Sequence, residues 1–297
     1  MQGSNLSKAL LLTLLTSLFG SLVAAGTKFA SAHISIHVIV FAQYAIGCLL
    51  SLPVVLRGGG VKSLATERFP LHLFRGLAGL VSFYAFYLAL MQIPLVDASL
   101  LRNSAPLCVP LVALIGLRVS IARRSWLPLI VGFGGVLCIL RPTGEGISWW
   151  HLLGLSSGLL LAVSMVTTRL LVSTEPTSRV VFYYFAIALV VTLPMAVIHW
   201  QPAPWYAWMT LLAIGLGIYL AMSTYTRAFF YAKPSVVSPV SYFGVVFAGV
   251  WGWLFWDQLP DFWTFAGVGL VVAGAILTLL LGEEAAAADE STTPSVK

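Results

Sequence analysis

Residues 73–89 read LFRGLAGLVSFYAFYLA, and residues 212–228 read LAIGLGIYLAMSTYTRA. In one register Leu73, Gly76 and Leu77 fall on Leu212, Gly215 and Leu216, and the same spacing carries Ala89 onto Ala228, Ser99 onto Ser238 and Gly135 onto Gly274. Leucine meets leucine by chance in any apolar sequence, so the weight lies on matched Gly, Ala and Ser held in register across three segments. Upstream, a slightly different spacing sets Leu52-Pro53 against Leu193-Pro194 and Thr27-Lys28 against Thr168-Arg169. The chain reads as two copies of one unit, residues 1–142 and 143–282, with a polar tail at 283–297.

Composition says what solvent the copies meet. Of 297 residues 59% are apolar and 9% charged, and the mean hydropathy is +0.96. Ordinary soluble domains run at ~45–50% and ~25%, which excludes a water-soluble globule. Apolar windows recur between breaks rich in Gly, Pro or charge. In the first copy they are Ala9–Phe29, Ile34–Leu56, Pro70–Met91, Ala98–Leu117 and Trp126–Leu140. In the second they are Trp150–Val172, Val180–Ile198, Trp205–Phe230, Ser235–Trp256 and Phe262–Leu281. Each is near the ~20 residues that cross a bilayer. The fold expected is all-α, with ten transmembrane helices as two inverted five-helix repeats, because an odd number of spans per copy turns the second upside down. The first window could pass for a signal peptide. It is longer than an h-region of ~7–15 residues and other spans follow, so it is read as a helix.

Cations set the orientation. With the N-terminus inside, Lys8, Arg57, Lys62, Arg68, Arg118, Arg123, Arg124, Arg169, Arg179, Arg227, Lys233 and Lys297 fall on the cytoplasmic side, and Lys28 and Arg141 outside. Both termini are then cytoplasmic in a multi-pass inner-membrane protein, and residues 283–297 form a disordered cytoplasmic tail. The net charge of +6 is scattered between apolar segments and forms no stripe for nucleic acid. Cys48, Cys108 and Cys138 lie inside apolar runs and spell neither a disulfide framework nor a metal motif. The partners expected are the lipid bilayer and a small-molecule substrate, with no cofactor.

Inverted repeats give two conformations of similar energy, one open to each side, around a site near the midplane. That is the architecture of a secondary transporter. The stretch Ala89-Leu-Met-Gln-Ile-Pro94-Leu-Val-Asp97-Ala98-Ser99-Leu-Leu101, with Pro106 and Gly135 beyond it, resembles the EamA-type members of the drug/metabolite transporter superfamily. Ala228-Phe-Phe-Tyr-Ala-Lys-Pro234-Ser-Val-Val-Ser238, Asp257-Gln-Leu259 and Gly274 echo it. The resemblance covers about residues 6–281 and implies movement of a small organic metabolite, usually outward, across the bacterial inner membrane. In that family an acid usually follows the fourth and ninth helices; Asp257 fills the second place, but Arg118 stands in the first.

Polar groups at membrane depth are expensive and mark candidate sites. Arg102, in the fourth helix, offers a planar fork to a carboxylate, and Asn103 adds a donor and an acceptor. Their counterparts in the second copy are Ser241 and Tyr242, so the symmetry breaks where a substrate binds. The alternative is that Arg102 snorkels to the outer interface, and for Arg75, close to His72, snorkelling is the favoured reading. Tyr84 and Tyr87 could stack on a planar substrate or serve as packing. Gln43, Tyr225, Ser238 and Tyr242 complete the candidate substrate set. Asp97, Pro106 and Pro110 are candidates for gating or coupling, the prolines by breaking the fourth helix. The cavity is expected between the third, fourth, eighth and ninth helices and their symmetry partners. The substrate reading is a carboxylate-bearing amino acid derivative, which within the resembled family includes opine-type metallophores. Alternatives are an exporter of aromatic or cationic drug-like compounds, or an intramembrane enzyme. The enzyme reading is weak: Gly154-Leu-Ser156-Ser-Gly158 matches GxSxG only mid-helix, and His33 with His37 has no third ligand nearby. The same Gly154 and Gly158 form a GxxxG pair suited to close helix contact.

Overall fold

The computed structural model describes residues 6–58, 60–117, 126–140, 148–231, 240–258, 261–270, 272–274 and 276–277, and these are helical with no strand. Among the described residues, six helices are long and apolar enough to cross a membrane. They are α1 (Leu6–Ala30), α2 (Ile36–Arg57), α3 (Phe69–Gln92), α7 (Trp149–Val172), α8 (Thr177–Ile198) and α9 (Trp205–Tyr231). At ~1.5 Å per residue each exceeds the ~30 Å of a hydrocarbon core. Shorter helices complete the set: α4 (Leu95–Asn103), α5 (Ala105–Leu117), α6 (Trp126–Leu140), α10 (Phe243–Trp256) and α11 (Phe262–Gly274). The expected tail at 283–297 lies outside the described residues.

Helix ends follow local chemistry. Pro70 occupies the first turn of α3, where its missing N–H costs nothing, and Pro94 stops that helix and opens α4. Ser148 caps α7, its side chain accepting from the Trp150 N–H at 3.3 Å. The fourth helix expected over Ala98–Leu117 is instead two pieces, broken at Ser104. Pro106 has no N–H to donate to the Arg102 carbonyl, and the residue before a proline is disfavoured in helical conformation. Tight i,i+3 bonds take over, from the Ser104 N–H to the Leu101 carbonyl and from the Leu107 N–H to the Ser104 carbonyl.

The interior pairs α1 with α9, α3 with α7 and α2 with α8 most extensively. Gly158 lets α7 approach the break in the fourth helix, because a Cβ there would lie 2.6 Å from the Leu101 carbonyl oxygen. Gly154 sits on the same face, against the Leu101 side chain. Outside, Leu49, Val190, Ile198, Trp205 and Phe262 are each more than two-thirds exposed. Such a surface would aggregate in water and is what a lipid-facing helix presents.

One end of the bundle is tied by charge. Glu175, between α7 and α8, accepts from the Thr66 hydroxyl, pairs with His72 Nε2 at 2.9 Å and lies 3.6 Å from Arg179 Nη1. Arg179 Nε donates to the Ser63 carbonyl at 2.6 Å and the Tyr183 hydroxyl to the Leu64 carbonyl at 2.7 Å. The α2–α3 connection is thereby fastened to the α7–α8 turn.

Candidate functional site

A cavity opens inside the bundle, walled by side chains of several helices. Its walls come from α1 (Thr13 to Ala24), α3 (Phe83, Phe86, Tyr87), the fourth-helix break, α7 (Leu161, Met165), α9 (Ile218 to Ala228) and the start of α10. Arg102, Asn103, Tyr87 and Tyr225 all line it, as does Ser241, the repeat counterpart of Arg102.

Arg102 is placed by the turn that ends α4. Its Nη1 donates to the Ser82 hydroxyl at 2.8 Å and to the Ser82 carbonyl at 3.2 Å. Ser82 in turn donates to the Ser157 carbonyl at 2.8 Å, so α7 fixes the acceptor. The guanidinium carbon lies 4.1 Å from the Phe83 ring centre and 5.0 Å from that of Phe86, a cation–π placement that orients the fork without neutralising it. Among the described residues no carboxylate pairs with Arg102. The side chain lines the cavity.

Asn103 donates from Nδ2 to the Ser99 carbonyl of its own helix at 2.8 Å, which fixes its amide beside Arg102. Tyr87 shows its ring to the cavity and donates its hydroxyl to Gln43 Oε1 at 2.8 Å. Gln43 is fully buried and accepts from Tyr87, with its own Nε2 unpartnered among the described residues. Among the described residues the Tyr225 hydroxyl is buried without a partner, as is that of Tyr242, which does not line the cavity. Tyr84 does not join them: its hydroxyl lies 3.4 Å from His37 Nδ1, off the cavity. Ser238 lies outside the described residues. Asp97 is in the first turn of α4, accepting from the Thr264 hydroxyl at 3.2 Å and away from the cavity lining. Pro106 and Pro110 lie within α5, and their side chains are outside the described residues.

Two expectations need correction. Arg75 does not snorkel: it is 1% exposed, donates from Nε to the Thr168 hydroxyl at 2.8 Å, and lies 4.4 Å over the Tyr184 ring. The cavity is not confined to the third, fourth, eighth and ninth helices, because α1 lines it too, with Thr13, Thr16, Ser17 and Ser21. Those residues recur with Gly20 and Ala24 every three or four positions, a small polar stripe down one face of α1. Thr16 donates to the Thr224 hydroxyl at 2.7 Å, Ser17 to the Ser241 carbonyl at 3.3 Å, and Ser21 accepts from the Trp251 indole at 3.1 Å. The helix with the leader-like sequence is thus central to the site. His33 and His37 part company, the first against Tyr206 and the second with its ring tilted against that of His199, centroids 4.3 Å apart.

A family model described as the EamA-like transporter family matches twice, over residues 7–141 and 148–280. The pseudopaline exporter CntI of Pseudomonas aeruginosa is 35% identical over 276 residues, covering 91% of this chain and 95% of the relative. An S-adenosylmethionine uptake transporter of Rickettsia bellii is 22% identical, covering 85% of this chain and 87% of its own length. A riboflavin transporter of Vibrio cholerae is 25% identical, with 79% of each covered. A solved crystal structure shares the fold, with a TM-score of 0.67 and 19% identity over 94% of this chain and 99% of that one.

Proposed function

Because the chain belongs to the EamA-like transporter family, we propose that it is a ten-helix inner-membrane carrier that exports a small carboxylate-bearing metabolite by alternating access. That it is a multi-pass membrane transporter and not an enzyme follows from the family and the transporters it resembles. The observation that carries the substrate class is Arg102, a guanidinium on the cavity wall with aromatic faces beneath it and no carboxylate of the protein beside it among the described residues. Its fork is matched by a carboxylate of the cargo. The likeness to a pseudopaline exporter supports an amino-acid-derived metallophore as that cargo.

Two inverted repeats, residues 1–142 and 143–282, are the proposed basis of the switch. The spacing that sets Leu52 on Leu193 sets Ile46 on Ile187, and Gly76 corresponds to Gly215. Gly76 packs on Ile187, where a Cβ would come within 3.0 Å, and Gly215 packs on Ile46, where it would come within 2.5 Å. The two contacts are one contact made twice with the repeats exchanged. The pairing of α1 with α9 and of α3 with α7 follows the same exchange. Cation placement supports cytoplasmic termini.

The test is comparison of the culture medium from deletion and complemented strains, followed by efflux of the compound found from vesicles holding the purified protein. A compound depleted from the deletion medium and carrying a carboxylate supports the reading. One without any carboxylate overturns it.

A further inference from the structure

Glycine in a transmembrane helix ordinarily marks the close approach of another helix. Gly79, Gly158 and Gly215 fit that rule, because a Cβ on any of them would come within 2.7 Å of a neighbouring atom. Two glycines on the cavity wall do not fit it. A Cβ on Gly20, in the middle of α1, meets nothing within 4 Å, and one on Gly244, in the first turn of α10, meets Asn103 Nδ2 and the Ser17 Cβ at 3.7 Å, an ordinary contact. The backbone does not call for glycine at either place, since the glycine with a positive φ among the described residues is Gly60. Alanine is the better helix former at both positions. What the missing side chains leave is room inside the cavity.

Under the proposed repeats that room is one-sided. The spacing that sets Thr27 on Thr168 sets Gly20 on Leu161 and Ala24 on Met165, and the spacing that sets Ser99 on Ser238 sets Ala105 on Gly244. All six residues line the cavity. The same exchange sets Ser17 on Gly158. Gly158 lets α7 close onto the Leu101 and Arg102 carbonyls, whereas the Ser17 hydroxyl stands between α1 and the matching carbonyls of Val240 and Ser241, at 3.5 and 3.3 Å. The half between α1 and α10 is thus held apart and stripped of side chains where the half between α7 and α5 is closed and filled. On the same cavity wall the Tyr225 hydroxyl is buried with no partner among the described residues, a polar group left for a ligand.

We propose that Gly20 and Gly244 set the size of cargo the site accepts, with the body of the cargo lying in the hollow between α1 and α10 while its carboxylate is held at Arg102. They are specificity-determining residues that act through the side chains they lack. Asn103 joins the two regions, because it follows Arg102 in the chain and its amide flanks Gly244. This rests on the carboxylate reading of Arg102 and adds to it where the rest of the cargo goes and what limits its bulk.

The experiment uses the full chain in proteoliposomes and two probes that share one carboxylate and differ in bulk, L-alanine and L-phenylalanine. Each glycine takes the residue its counterpart carries, giving Gly20→Leu and Gly244→Ala, with Gly20→Ala as the milder variant. The wild type is expected to move both probes. Gly20→Leu should lower phenylalanine transport at least roughly tenfold and leave alanine within about twofold, with Gly244→Ala and Gly20→Ala changing the same ratio in the same direction by less. The detergent melting temperatures of Gly20→Ala and Gly244→Ala should stay at or above that of the wild type. A lowered melting temperature in these two variants, with equal loss of both probes, is what packing glycines would give, and it overturns the proposal. Unchanged handling of both probes by Gly20→Leu also overturns it. If Gly20→Leu folds poorly, Gly20→Ala carries the same comparison. A wild type that moves neither probe, or an Arg102→Ala protein that moves both normally, overturns the carboxylate reading beneath the proposal, and the proposal falls with it.

Discussion

Arg102 and Ser82 face each other across α4 and α3, the guanidinium donating to the serine hydroxyl at 2.8 Å while that hydroxyl donates onward to α7. The relay holds the fork in one orientation on the cavity wall. A hydrogen bond to a charged group is worth ~1.5–3 kcal/mol. Because the Ser82 carbonyl also accepts, the lower end applies, and Ser82→Ala should raise KM for a carboxylate substrate roughly tenfold. Initial rates in proteoliposomes measure this, and an unchanged KM would mean that Ser82 does not position Arg102.

Gly158 sets the distance between α7 and the broken fourth helix. The atom a Cβ would meet first belongs to the Leu101 backbone, which cannot swing aside. Gly158→Ala should destabilise the protein by ~1–3 kcal/mol through overpacking. Gly134→Ala, where a Cβ meets nothing within 4 Å, is the control and should leave the detergent melting curve in place.

Tyr84 and Tyr87 are three residues apart on α3 and separate cleanly. Tyr87→Phe leaves the Gln43 carbonyl buried without its donor, a loss of ~1–3 kcal/mol, and removes the polar edge of a wall residue. Tyr84→Phe touches only the contact with His37. Transport should fall in the first and persist in the second; the reverse order would place the substrate on the other face of α3.

Glu175 gives a pH signature outside the spanning segments. Burial pushes its carboxyl up, but hydrogen bonds from Thr66 and His72 and the charges of His72 and Arg179 outweigh that and hold it below its ordinary value. A depressed carboxylate stabilises the fold above its unfolded pKa and loses that contribution as pH falls through the depressed value. Glu175→Gln should therefore lower the melting temperature near pH 7, and the gap to wild type should close below about pH 4. A gap that stays constant over that range would show that ionisation of Glu175 does not contribute.

Spans were readable because lipid enforces them: α2 and α3 were bounded to within two residues at each end. What sequence could not place was the inward face of each helix. Thr13, Ser17 and Ser21 look like ordinary small residues in a leucine-rich run until α9 and α10 are packed against them. Arg75 looked able to reach an interface because nothing local reveals that Tyr184 and Thr168 enclose it. The break at Ser104 was written in Pro106, yet its position two residues upstream follows from the backbone hydrogen bond that a proline cannot give to the Arg102 carbonyl.

Export by cells carrying Arg102→Ala at matched protein level tests the central claim most directly, with Arg102→Lys beside it. The account predicts that Lys, a point charge without the planar fork, weakens transport, that Ala weakens it further by at least roughly tenfold, and that both insert normally. Unchanged export by Arg102→Ala would contradict it, and the carboxylate-bearing cargo would fall with it.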